Sequence, residues 1–153
     1  MKSNSLVKQN LKYIAGFISA VIFITTTTSS YAADQTYGTL TCSEITSIYD
    51  GDTFRCTIPN VHPLIGNRIG IRVAGVDTPE MKDKRPEIKS LAQRAKQFTV
   101  QQLRSAKLVE LRNVQRGKYF RIVADVYIDD KNLAEMLIKA GLGKPYDGGK
   151  KEW

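Results

Sequence analysis

Cysteine, histidine and tryptophan are nearly missing from this 153-residue sequence, which holds two, one and one of them. Two cysteines and the lone His62 make no zinc spacing, which excludes a structural or catalytic zinc centre. An EF-hand is excluded as well, because the spaced oxygen ligands and closing glutamate of such a loop are wanting. Long apolar runs are also lacking: residues 13–24 form a run of 12, against the roughly 20 that a spanning helix needs. No repeat, low-complexity linker or second domain interrupts the chain. Its 42% hydrophobic and 25% charged content rules out collagen, a coiled coil and wholesale disorder. Acids are the scarce charge, 15 against 23 Lys and Arg, for a net +8 and a pI near 9.5. That balance favours a polyanionic partner.

What is present begins with a leader pattern. Lys2, Lys8 and Lys12 precede the apolar run, and Ser30-Tyr31-Ala32 puts small residues at both positions a signal peptidase reads. The pattern predicts a signal peptide over 1–32 and one mature domain over 33–153, secreted or periplasmic, with no stable membrane association and no sign of assembly beyond a monomer. Removing the leader's three lysines from the +8 leaves +5, so the basic bias weakens but survives. In an exported chain thiols oxidise in pairs, which makes Cys42 and Cys56 a candidate disulfide whose register the sequence leaves open.

Two β-branched stretches, residues 39–49 and 53–59, flank Asp50-Gly51-Asp52, a strong hairpin signal. A third strand over 68–76 ends at Asp77-Thr78-Pro79-Glu80, where proline takes the chain out of the ladder. The period then changes: Ile88, Leu91, Ala92, Ala95, Phe98 and Leu103 share one helical face over 87–106, and Pro86 suits a helix start. Strands over 107–114 and 119–128 follow. Asn132 and Glu135 then cap a helix carrying Leu133, Met136, Leu137 and Ala140, which Gly141 stops. The order β-β-β-α-β-β-α predicts an α+β, mainly β fold: a five-stranded Greek-key barrel of the OB type with two to three helices, a twisted α+β sheet being the other arrangement it allows.

Within so few acids, placement carries information. Asp50 and Asp52 share one turn, and Asp77 and Glu80 stand at the end of the third strand. Carboxylates gathered together repel, and a bound hard cation or a protonated partner relieves them. Taken singly each feature has a structural reading: Asp-Gly suits any tight turn, the Asp77–Glu80 stretch could cap a loop, and Arg72 could be a solvated strand residue.

Taken together, Asp50-Gly51-Asp52-Thr53, Ile71-Arg72-Val73-Ala74-Gly75-Val76-Asp77-Thr78-Pro79-Glu80 and Lys118-Tyr119-Phe120-Arg121 resemble the thermonuclease family, typified by staphylococcal nuclease. Asn132-Leu133-Ala134-Glu135 and Gly141-Leu142 extend the resemblance over nearly all of the mature chain. It implies a Ca²⁺-dependent phosphodiesterase that cuts the 5′ P–O bond of DNA and RNA, single-stranded regions preferred, and leaves 3′-phosphate ends. Asp52 and Asp77 would supply carboxylate ligands and Thr78 its backbone carbonyl. Glu80 would activate water, Arg72 and Arg121 would hold the scissile phosphate, and Lys118 and Tyr119 would bind substrate. Three protein ligands leave a Ca²⁺ ion room for waters and a phosphate oxygen, and a guanidinium fork suits two phosphate oxygens.

Two departures stand beside the resemblance. Phe120 occupies a position where the family usually has glycine, so the sequence predicts a loop denied positive φ there. The family's longer C-terminal helix is absent or reduced to Tyr146-Asp147-Gly148-Gly149-Lys150-Lys151. Other readings are an inactive nucleic-acid-binding barrel, which would not need the carboxylates, and a Ca²⁺-binding surface module, which would not need the arginines.

Overall fold

The computed structural model describes residues 35–151 and 153, so the leader predicted over 1–32 lies outside the described residues. Along the chain run β1 (Leu40–Thr41), β2 (Glu44–Ile48), β3 (Thr53–Thr57), α1 (Pro63–Gly66), β4 (Ile69–Val73) and β5 (Gly75–Asp77). After them come α2 (Pro86–Ser105), β6 (Val109–Arg116), β7 (Arg121–Ile128), β8 (Lys131–Asn132), α3 (Leu133–Lys139) and β9 (Lys144–Tyr146).

The single strand expected over 39–49 is bent into β1 and β2. The amides at the bend bond in different directions, Cys42 N–H to Val109 O (3.0 Å) and Ser43 N–H to Thr57 O (2.8 Å). The seven-stranded sheet runs β1-β6-β7-β4-β3-β2, with β8 added on β7. Its two edges are therefore halves of one bent strand, and the sheet curls into the barrel-like, OB-like α+β fold. Joining the halves and setting two-residue β8 aside gives the five strands expected. Cys42 and Cys56 are disulfide-bonded with Cα atoms 5.7 Å apart, tying the bend to β3. In the chain-entropy picture a closed loop of this size contributes roughly 3 kcal/mol.

The strand expected over 68–76 also divides. Gly75, at φ +76°, turns the chain after Ala74, so β5 leaves the main sheet and pairs antiparallel with β9. Neither β9 nor α1 was foreseen. β9 is three residues long and contains Pro145, which hides its strand character. α1 starts at Pro63, and His62 Nδ1 accepts from Leu64 N–H (3.2 Å), so the sole histidine is a helix cap. The predicted loop conformation at Phe120 is overturned: Tyr119 and Phe120 both lie at φ +57°. Both residues sit in the short turn of the β6–β7 hairpin, which Gly117 N–H closes by donating to Arg121 O (2.7 Å), and closing the hairpin outweighs the side chains' reluctance to take positive φ.

Period-two alternation places the core. Phe54 and Cys56 of β3, Ile71 and Val73 of β4, and Ala124, Val126 and Ile128 of β7 are buried, which sends Thr53 and Arg72 to the other face. α2 begins with Pro86 at its first position, as expected, and buries Ala92, Ala95 and Leu103. It also buries Thr99, a polar residue the apolar pattern passed over, whose Oγ1 donates to Gly51 O (2.6 Å). Asn132 caps α3 by accepting from Ala134 N–H (2.8 Å) and Glu135 N–H (3.2 Å), and Gly141 ends it at φ +67°.

The Asp-Gly-Asp turn is thus wedged against α2. A Cβ on Gly51 would lie 2.8 Å from Thr78 Cγ2 and 2.9 Å from Ala95 Cβ. Gly51→Ala is accordingly expected to cost about 2 kcal/mol through overpacking, read as a lower thermal midpoint. It should also weaken whatever depends on Thr78's position, and a midpoint and activity equal to the parent's would show that this wedge is slack.

Candidate active site

Asp52 ends the turn immediately before β3, and its main chain is fixed by Val73 N–H donating to Asp52 O (2.9 Å). Arg72 sits opposite Thr53 in the β3–β4 register. Facing away from the core, its guanidinium donates through Nη1 to Asp52 Oδ1 and through Nη2 to Asp77 Oδ1 (2.9 Å) and Val76 O (3.2 Å). One arginine thereby bridges an acid of the turn before β3 and the last residue of β5, and the turn at Gly75 is what returns Asp77 to it.

Asp52 is 1% exposed and saturated with donors: Thr53 Oγ1 at 3.0 Å, Thr78 N–H at 2.7 Å and Thr78 Oγ1 at 2.9 Å, besides Arg72. Thr78, also buried, is held by this carboxylate. Asp50, in the same turn, accepts from Asp52 N–H (3.2 Å). Burial pushes the Asp50 carboxyl above its usual value, against the opposing pull of Arg72. Asp77 Oδ2 is buried and has no hydrogen-bond partner among the described residues.

Glu80 is half exposed, with its carboxylate bonded by Lys151 Nζ, which also lies 3.0 Å from Asp77 Oδ1. Arg121 begins β7, which runs parallel to β4 with Gly70 opposite Arg121 and Arg72 opposite Val123. The two arginines therefore rise from neighbouring strands. Gly70 leaves room for the Arg121 stem, since a Cβ there would lie 3.0 Å from Arg121 Cγ. Arg121 Nε donates to Lys118 O (3.4 Å), tying the arginine to its hairpin turn.

An open cleft of about 940 Å³ collects Asp50, Arg72, Glu80, Lys118, Arg121, Tyr146 and Lys151 on its walls. Asp52, Asp77 and Thr78 are buried and connect to it through Arg72 and Lys151. The structure thus assembles the expected acids and both arginines at one place. Tyr119 is not drawn in: it is 89% exposed and lines an adjoining groove with Phe120 and Arg121.

Of the further participants, the sequence leaves Tyr146 open as a second base-stacking tyrosine and gives Lys151 and Trp153 no role. Tyr146 lies under the Arg72 guanidinium, 5.9 Å from ring centre to Cζ. Lys151 and Trp153 return to Asp77, Trp153 Nε1 donating to Asp77 O (3.3 Å). The only hint was Tyr146 and two glycines before a lysine pair, a pattern without periodicity.

Among the described residues no three acidic, histidine or cysteine side chains stand together as a self-sufficient metal cage. A hard cation here would lean on water, backbone and substrate oxygens as well as carboxylates. Acids, a shared arginine and a rim of lysine and arginine are the equipment of a site that handles a phosphate ester. Residues 70–152, just over half of the chain, match the staphylococcal nuclease homologue family, and the chain belongs to it. It is also similar to the SPbeta prophage-derived endonuclease YokF of Bacillus subtilis (strain 168), 33% identical over 97 residues. That stretch covers 62% of this chain and 31% of the relative, so the chain spans about a third of the relative's length.

Proposed function

We propose that this protein is an exported, Ca²⁺-dependent nuclease that hydrolyses phosphodiester bonds of DNA and RNA and favours unpaired stretches. The observation that carries the reading is the single cleft in which Arg72 bridges Asp52 and Asp77 while Glu80, Lys118 and Arg121 line the same walls. A binding module would need only the cations. The leader pattern supports export, and no helix among the described residues is long and apolar enough to cross a membrane.

The residues suit a hard cation. Asp77 Oδ2 is a buried carboxylate oxygen lacking a donor, the kind of atom a cation satisfies. Asp77 would hold calcium through its carboxylate and Thr78 through its backbone carbonyl, and Asp52 would join them by giving up one of the donors, Arg72, Thr53 or Thr78, that its oxygens now accept from. When bound there, calcium supplies a divalent charge that offsets the negative charge by which a phosphodiester resists attack.

The remaining work falls to side chains. Arg72 and Arg121, on adjacent strands, grip the non-bridging oxygens of one phosphate and stabilise the charge that grows on them as water adds. Glu80, half exposed on the cleft wall, accepts a proton from the attacking water. The water oxygen bonds to phosphorus as the 5′ P–O bond breaks, the departing 5′ oxygen takes a proton from solvent, and Glu80 releases its proton to solvent, leaving a 3′-phosphate and a 5′-hydroxyl. Lys118 and the exposed Tyr119 carry the flanking sugar and base, Tyr119 by stacking, which favours splayed single strands.

The test is digestion of plasmid DNA and RNA with and without EGTA. Degradation that requires calcium is expected. A gel shift without degradation would replace the enzyme with a binding barrel, and degradation indifferent to EGTA would remove the metal from the reading.

A further inference from the structure

Lys151 is the cation that actually touches the acids of this site from the solvent side. Its Nζ is hydrogen-bonded to Glu80 and stands 3.0 Å from Asp77 Oδ1, bridging the two carboxylates that the proposed function gives to base and metal. We propose that Lys151 is a positioning residue which holds Asp77 and Glu80 in the metal-free protein, competes with calcium for them, and turns to substrate phosphate once displaced. This inference rests on the calcium reading above.

The backbone is built for such an exchange. After Tyr146 the chain reverses at Gly148 (φ +98°) and Gly149 (φ +129°), values that side chains rarely allow. Neither glycine has any atom within 4 Å of a would-be Cβ, so packing does not require them and the backbone conformation does. Tyr146 Oη donates to Gly149 O (3.0 Å), pinning the reversal beside the ring that faces Arg72. Beyond it, Trp153 anchors on the Asp77 carbonyl and lies 4.7 Å from Lys144 Nζ. Lys151 is thus delivered to the acids by a tail fastened on both sides of it.

Charge makes the contact conditional. An ammonium and a divalent ion repel at the same carboxylate, so they cannot both be held close to Asp77 at full strength. The lysine side chain is 42% exposed, so letting go returns an already wet group to water. It remains on the wall shared with Arg72, Lys118 and Arg121, within the cleft where a polyanion would lie. A monovalent placeholder also keeps Glu80 and Asp77 from repelling each other before metal arrives.

The experiment titrates calcium alone into the full-length protein, Lys151→Met and Lys151→Arg, by calorimetry and by tryptophan emission. Trp153 is the sole tryptophan, so the emission reports on the tail. Lys151→Met is expected to bind calcium about tenfold more tightly than the parent, having lost one competing charge, and Lys151→Arg to stay within about twofold. Parent emission should change along the calorimetric isotherm, and KM for single-stranded DNA should rise in Lys151→Met. Equal calcium affinity in parent and Lys151→Met, or constant emission while heat records binding, would overturn the role of Lys151 alone. No calcium heat in any of the three proteins would overturn the calcium reading and this inference together.

Discussion

Glu80→Gln is expected to slow phosphodiester hydrolysis by about a thousandfold, within the range that a positioned general base contributes, while calcium affinity and strand binding stay near the parent's. The substitution is nearly isosteric. Glutamine keeps an oxygen able to accept from Lys151, but its amide cannot take a proton from water at neutral pH. Glu80 stands apart from the Asp52–Arg72–Asp77 bridge, is half exposed, and has Lys151 as its recorded partner, so the loss should not reach the fold. Single-turnover digestion at saturating calcium reads the chemical step, and a gel shift in parallel reads binding. If Glu80→Gln cuts at the parent rate, another group activates the water; if binding falls as much as rate, Glu80 holds substrate or metal instead.

Strand period and turn chemistry made much of the scaffold legible. The β-branched runs, the Asp-Gly turn and the change of period at α2 were readable, whereas the direction of Arg72 follows only from the buried alternation of β3 and β4 in the folded sheet. Proline and asparagine marked the starts of α2 and α3. The acids and arginines were found differently: each was ambiguous alone, and three spaced motifs resembling one family gathered them. Register then explains why the gathering works, because β4 beside β7 sets Arg72 and Arg121 on neighbouring strands and the turn at Gly75 returns Asp77 to Arg72.

What stayed hidden was what depends on distant partners. The bend at Cys42–Ser43 exists because consecutive amides find acceptors on two separate strands, β6 and β3, which no local propensity encodes. Thr99 looks like a polar break in an apolar face until Gly51 O is placed against it. Tyr146 reaches Arg72 through the pairing of β9 with β5, and Lys151 and Trp153 reach Asp77 beyond a reversal at two glycines, with a sequence separation of about seventy residues for Glu80 and Lys151. The positive φ at Phe120 is the opposite case, a local preference overridden by the closing of the β6–β7 hairpin.

Asp52→Ala is expected to be the most damaging single change to stability, about 3–4 kcal/mol, because it strands donors on several elements at once. Thr78 N–H and Oγ1 lose their acceptor inside the protein, and Thr53 Oγ1 loses its own. Arg72 is 14% exposed and keeps Asp77 Oδ1 and Val76 O, which holds the cost below that of a wholly orphaned charge. Asp52→Asn should fall between, at about 2 kcal/mol, since the amide offers one oxygen where donors arrive on both sides, from Arg72 and from Thr78. Urea unfolding separates these: the midpoint should fall with an unchanged slope, as befits a folded-state loss. Both variants should also need more calcium for half-maximal digestion, because each removes a negative ligand, and the milder Asn protein makes that measurement possible on folded enzyme. An Ala variant within about 1 kcal/mol of the parent would mean that the bridge does not hold the turn to β4 and β5. A calcium titration unchanged in Asp52→Asn would take this carboxylate out of the metal's ligand set and leave Asp77 as the acid on which the cation depends.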